Sequence, residues 1–566
     1  MRHPPRHIIH VRHAGGVVDR VPRYSPLATV GAHLSLIVYL TYTVAAALHT
    51  SYQSLGPAHD TRSRLARRKK LVPAFVALAS AALCWATYTS VAAAALSYQT
   101  WASEHGHGHL ERSTPGGDQA SGPSSSDGPA FAHVARWLSD TPFYYDALEI
   151  VVEKARRFWW SQQIDLATVA FSVLLSVEGR RRGIPSTPAF LALAHLVNLS
   201  YAQNLFYLAL TLTPSPLPTG VEHLPSKVGP PASSRLIQIR RKLLPPKPRN
   251  WHPHPLLTLG ALALSFGSIF LLPYAADTRS FANVVLFARV STFLPLVLPE
   301  IVPATWGAVQ SHPHDAHGSL TTIFQIVSAT SFVLHAKAAI VGLIYNIPDS
   351  YRHRHSALVA WDAEERAAWE RGTTALGKVL GSISDHPVVK AVGGDVLLCT
   401  LSLGVWAAVR AADVKDIIKS TVPVYTLGRE TKQVAEDEAP NASFKAGSES
   451  AEDAASEHSV TPRRRGRRLT KSQIGSAASS RRPSRVPSEV SGTPGRKRGR
   501  PRKSLQFEEE LAYERLSSQL RGLAEGDTLP AKELDWESAA LAWGLAAFAG
   551  LGSASAGVFG AECVAR

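Results

Sequence analysis

The chain has 566 residues, 45% of them hydrophobic, a formal net charge of +16 and three cysteines. Cys84, Cys399 and Cys563 all lie in or beside apolar runs, and no spacing among them suggests a disulfide framework or a thiolate metal site. Long apolar runs alternate with basic, Pro- and Ser-rich stretches, and that segregation points to a membrane protein.

Residues 1–26 form a basic, His-rich tail without the apolar core of a cleavable signal peptide. The first apolar run is therefore expected to serve as the uncleaved targeting signal. A bilayer crossing needs about 20 mostly apolar residues. Within 27–96, runs 27–48 and 71–96 qualify. Arg62, Arg64, Arg67, Arg68, Lys69 and Lys70 precede the second, predicting a cytoplasmic loop and an N-terminus on the luminal or outer side.

Segment 97–161 holds a Gly/Ser/Pro-rich stretch over 103–130, expected to be disordered. It continues as VARWLSDTPFYYDALEIVVEKARRFWW, where apolar residues and charges recur at helical spacing. That pattern predicts an amphipathic helix on the outer face, ending in an aromatic belt of Phe158, Trp159 and Trp160. Segment 162–212 carries runs 162–177 and 188–212, with Arg180, Arg181 and Arg182 between them. A basic, Pro-rich loop fills 213–254. Segment 255–346 offers runs 255–276, 282–309 and 319–346, the middle one expected to kink at Pro295, Pro299 and Pro303.

A polar helical loop over 347–390 leads to the run at 391–412. Residues 413–535 are expected to be a disordered basic loop, and 536–566 to carry the last span, 538–561. The reading is an all-α, polytopic helical bundle of about nine transmembrane helices with disordered loops. This count conflicts with the charge rule, because it sets the basic segments 213–254 and 413–535 outside. A miscounted span between 213 and 390 is the favoured explanation.

Ionisable residues within apolar runs are costly to bury, so they are functional candidates: His195, Arg289, Glu300, His335, Lys337, Asp395 and Glu562. Glu300, in LPEIVPATWG, sits between prolines that free carbonyls, as in a cavity wall. A carboxyl there is suited to general-acid work. Asp395, in GGDVLL, is the second catalytic candidate. The plain alternative is that Glu300 and Arg289 pair with Lys337 or another helix only to satisfy burial. Histidines cluster at 3–13, 105–109 and 312–317 without a carboxylate or thiolate scaffold, so no metal is expected. P-loop, GxSxG, HExxH and dinucleotide fingerprints are absent, and no cofactor is expected.

The run from FWWSQQIDLATVAFSVLLSVEG to NLSYAQNLFYLALTLTP, with LPEIVPATWG, GGDVLL and SASAGVFGAE, resembles a polytopic family of filamentous fungi. That family contains the membrane-bound terpene cyclases of ascochlorin, ascofuranone and macrophorin biosynthesis. The resemblance implies protonation-initiated cyclisation of a prenylated small-molecule substrate inside the bilayer; by their position in the chain, Glu300 and Asp395 are the acid and base candidates. Tyr201, Phe206 and Trp306 would then face cationic intermediates. The expected location of the polytopic chain is the endoplasmic reticulum or nuclear envelope.

One motif points elsewhere. GRKRGRPRK, 495–503, matches an AT-hook, with Arg496, Arg498, Gly499, Arg500 and Pro501 available for A·T-rich DNA. Thr461 and Thr493 precede basic clusters as proline-directed phosphorylation candidates. Asn441-Ala442-Ser443 is a glycosylation acceptor usable only in the lumen, so it and the DNA contact exclude each other. The alternatives to catalysis are thus a DNA-tethering envelope protein and a transporter or scaffold.

Overall fold

The computed structural model describes residues 25–53, 62–105, 130–213, 247, 251–309, 316–349, 351–352, 364–365, 367–410, 412–423 and 534–564. The AT-hook, Thr461, Thr493, Asn441 and most of 213–254 lie outside them. The described chain is all-α. Its helices are α1 (Ser25–Gln53), α2 (Arg62–Glu104), α3 (Ala130–Asp140), α4 (Phe143–Glu153), α5 (Ala155–Arg181), α6 (Thr187–Leu196), α7 (Leu199–Leu212) and α8 (Pro255–Ala275). They continue as α9 (Phe281–Ser291), α10 (Leu294–Ile301), α11 (His317–Ile344), α12 (Ala368–Gly381), α13 (Pro387–Arg410), α14 (Val414–Thr421), α15 (Trp536–Ala549) and α16 (Leu551–Val564). Two short antiparallel pairs, Trp251–Pro253 with Gly307–Val309 and Tyr351–Arg352 with Glu364–Glu365, join loops.

Among the described residues, α1, α2 from Lys70, α8, α11 and α13 are long and apolar enough to cross a membrane. The α9–α10 pair makes a sixth if its 58° bend lies within one span. That bend falls in the proline-rich run, where Pro295 begins a new helix two residues in and Pro299 denies a backbone donor. Helix α5 is long but polar in places, with Gln162, Gln163 and Glu178 all buried. It can carry them because it runs through the middle of the bundle and packs on protein.

Two of the expected spans take another form. Run 188–212 breaks at Val197–Asn198 into α6 and α7, which fold back on each other. Gly179 abuts Thr187 at the start of α6, and Arg182 Nη1 donates to Leu210 O at the end of α7, 3.4 Å away. Both ends of this hairpin therefore stand beside the C-terminus of α5. Run 538–561 breaks at Gly550 in the same manner. Asp535 N donates to Ala408 O at 3.1 Å, Trp543 Nε1 donates to Thr400 O at 3.1 Å, and Glu562 returns to Arg410. Helix α15 thus runs antiparallel to α13, and α16 comes back to its starting end. Each of α15 and α16 has 14 residues, about 21 Å of helix, against a hydrocarbon core of about 30 Å.

The hairpin tips are chemically specified. Asn198 caps α7 by accepting from Tyr201 N at 3.0 Å and donates to Ala82 O of α2 at 3.0 Å. Gly550 turns with φ 83° and ψ 160°, a region open essentially to glycine, and a Cβ there would stand 2.7 Å from the His335 ring. Every residue of α16 is buried; its Gly, Ala and Ser side chains let α5, α11 and α14 approach closely. Gly552 meets Leu166 and Ser331, while Gly557 and Gly560 meet Thr421 and Ser420.

Candidate functional site

Two polar regions occupy opposite ends of α5. At its C-terminus, the ends of α5, α7, α13 and α16 converge. Each helix end carries roughly half a negative charge on unsatisfied carbonyls, so the junction calls for cations. Arg181 donates to Cys563 O at 3.1 Å and pairs with Glu178. The buried Arg182 bridges Glu178 at 2.7 Å and Glu562 at 3.0 Å. Glu562 in turn accepts from Arg410 Nε at 2.7 Å and pairs with its Nη2. Arg410 also lies 5.1 Å from the Trp406 ring, which stacks on Tyr207 with centroids 4.5 Å apart. Three arginines and two carboxylates thus lock three elements distant in sequence.

The expected acid and base stand apart. Asp395 is buried, but its oxygens accept from Leu199 N at 3.0 Å and Ser200 N at 2.9 Å, so it caps the α7 N-terminus inside the bundle. Glu300 is exposed at the end of α10, in the field of Arg180 and Lys247. Lys247 caps α10 through Pro299 O and Val302 O, and lies 4.3 Å from the Trp251 ring. Burial is the main cause of the depressed Lys247 pKa. Burial, with repulsion from Arg180 and Arg181, holds neighbouring His252 down at about 4. Arg289 donates to His195 O at 3.1 Å, and His195 Nε2 pairs with Thr292 Oγ1 at 2.9 Å, so these two serve the α6–α9 contact. Tyr201 and Phe206 are buried in the core, whereas Trp306 is exposed.

At the other end of α5 lies a cavity of about 540 Å³ between α4, α5, α8 and α11. That volume falls within the range of small-molecule sites. Its walls include Phe158, Gln162, Phe270, Tyr274, Lys337 and Tyr345, with Glu153, Lys154 and Arg156 at one side. Lys337 Nζ sits 3.8 Å from the Phe270 ring and 4.7 Å from the Tyr274 ring. Gln162 is 2% exposed, and its Oε1 has no hydrogen-bond partner among the described residues. Outside the cavity, Leu271, Ile340 and Ile344 face outward from the same two helices.

Lys337 was visible in the sequence as a cation in an apolar run. Gln162 was not, because a glutamine beside Gln163 near an aromatic belt looks like an interfacial residue until its helix is found inside the bundle. No three His, Cys, Asp or Glu side chains gather as a metal site among the described residues. No protein-family model, curated protein or solved structure matches this chain.

Proposed function

We propose that the chain is a seven-span membrane protein with two re-entrant helical hairpins, and that its cavity takes a lipid-soluble small molecule from the bilayer. The observation that carries the binding reading is the 540 Å³ cavity, lined by aromatic and aliphatic side chains with Lys337 and the buried Gln162 among them. The five long apolar helices, the bent α9–α10 pair and α5 make seven crossings. Hairpins α6–α7 and α15–α16 enter and leave on one side, supported by the bonds of Leu210 and Glu562 to Arg182.

This topology removes the conflict with the charge rule. The N-terminal end of α2, Arg180–Arg182, the 213–254 segment and the 424–533 segment then share one side, which their basic residues make cytoplasmic. The acidic 97–161 segment faces the other. Glycosidase treatment and protease protection of sealed microsomes test this: Asn441 should carry no glycan, and 430–505 should be cut from the cytoplasmic side. A glycan on Asn441 would refute the topology. The A·T-rich DNA reading needs the same side and gains no other support.

Photocrosslinking with a diazirine-bearing apolar chain tests the cavity. Labelling concentrated on peptides of α5, α8 and α11 is expected, whereas uniform labelling of outward-facing helices would refute it. Cyclisation of a prenylated substrate is the chemical version of this proposal. Its support is the cavity's apolar wall, and Glu153 is the carboxyl that lines it. Glu300→Gln and Asp395→Asn variants should therefore keep any such activity that Glu153→Gln loses.

A further inference from the structure

We infer that the cavity is built for a single-chain amphiphile carrying an anionic group and a hydroxyl, held by Lys337 and Gln162. This inference rests on the binding reading above and adds the chemical class of the ligand.

Lys337 is the starting point. It lies within the apolar helix α11, seven residues before Ile344, so its Cα is about 10 Å of helix from the end. A lysine so placed is costly unless a partner or function holds it. Among the described residues it forms no ion pair with a carboxylate; Phe270 and Tyr274 give it ring faces instead. Lys154, on the same cavity, has no ion pair among these residues either. The other two charged groups of the wall are engaged: Arg156 binds Asp385 at 2.7 Å and Glu153 lies 3.8 Å from Arg157. The cavity thus has an excess of positive charge, and an anion answers it.

Gln162 supplies the second requirement. A buried acceptor without a donor costs free energy comparable to a lost hydrogen bond. Gln162 lines this cavity, and nothing described donates to its buried Oε1. With the amide turned toward the cavity, a ligand hydroxyl would donate to Oε1 and accept from the amide NH2. The aromatic and aliphatic walls take the chain. A carboxylate or a phosphate would serve Lys337 equally, so a fatty acid and a lysophospholipid are two sources of one chemistry.

The test uses the full-length protein in nanodiscs and displacement of a fluorescent fatty-acid probe. Oleoyl lysophosphatidate carries charge and hydroxyl, oleate charge only, monoolein hydroxyls only, and methyl oleate neither. Lysophosphatidate should displace best and methyl oleate worst, with about tenfold lost for the missing charge and severalfold for the missing hydroxyl. Lys337→Met should erase the gap between lysophosphatidate and monoolein, and Lys337→Arg should keep it. Gln162→Leu should erase the gap between monoolein and methyl oleate.

Equal displacement by all four lipids would overturn the ligand class while leaving the cavity reading intact. Displacement by inorganic phosphate alone would overturn the amphiphile assignment. If no apolar compound is displaced or bound, the binding reading itself fails. A Lys337→Met protein that does not fold leaves the wild-type ranking and Lys337→Gln to decide: a Lys337→Gln protein that keeps the full gap between lysophosphatidate and monoolein would overturn the role of the lysine.

Discussion

The arginine–glutamate network gives the most demanding test, because it makes the C-terminal hairpin an integral part of the bundle. In Glu562→Leu, Arg410 loses both bonds to its carboxylate, while Arg182 falls back on Glu178 at 2.7 Å. Removing one partner of a buried pair leaves an uncompensated charge and costs about 3–5 kcal/mol. Arg410→Met strands Glu562 less severely, since Arg182 still reaches it at 3.0 Å, and about 2–4 kcal/mol is expected. The double variant removes both groups and leaves Arg182–Glu178 intact. Its cost should approach that of one single variant, giving a coupling of about 3 kcal/mol. Reversible unfolding in mixed micelles, followed by tryptophan fluorescence, measures all four corners of the cycle. Additive effects, with coupling under about 0.5 kcal/mol, would refute the argument that these residues act as one unit.

Asp395→Leu should cost about 2–5 kcal/mol in the same assay, because it strands the Leu199 and Ser200 N–H groups, and Asp395→Asn should cost less by keeping one acceptor. Gly550→Ala should destabilise by about 1–3 kcal/mol from backbone strain alone, with further loss as its Cβ meets His335; a neutral result would mean that the hairpin tip is not as described. Since His252 is held near 4 against an ordinary 6.5, its neutral form belongs to the folded state. Its contribution is full above pH 6.5 and falls as pH drops from 6.5 towards 4, so His252→Asn should flatten that part of the stability–pH curve. An unchanged curve would contradict the burial of this ring.

The runs 27–48, 71–96, 255–276, 319–346 and 391–412 were legible because lipid imposes one condition on every face of a helix, and composition alone reports it. The bend at 291–294 was legible for a similar reason, since proline acts on its own backbone. Composition says less where helices pack on protein. Runs 188–212 and 538–561 have the length and apolarity of spans, yet Asn198 and Gly550 fold each back on itself. An Asn or a Gly within an apolar run says nothing about direction until Asp395 is found capping one tip and His335 packed against the other.

The candidate site divides along the same line. Sequence alone picked out Lys337, Asp395 and Glu562 as ionisable residues in apolar surroundings, because the cost of burying charge depends on local composition. It could not say that Asp395 meets the N-terminus of α7, that Glu562 meets Arg182 and Arg410, or that Lys337 faces a cavity with Gln162. Those distinctions rest on partners 100 to 400 residues away along the chain. The sequence by itself determined that this protein is built of helices suited to a membrane. Only the tertiary structure decided which apolar runs are single helices and which fold back on themselves, since that direction is set by contacts between helix ends and not by the apolarity between them.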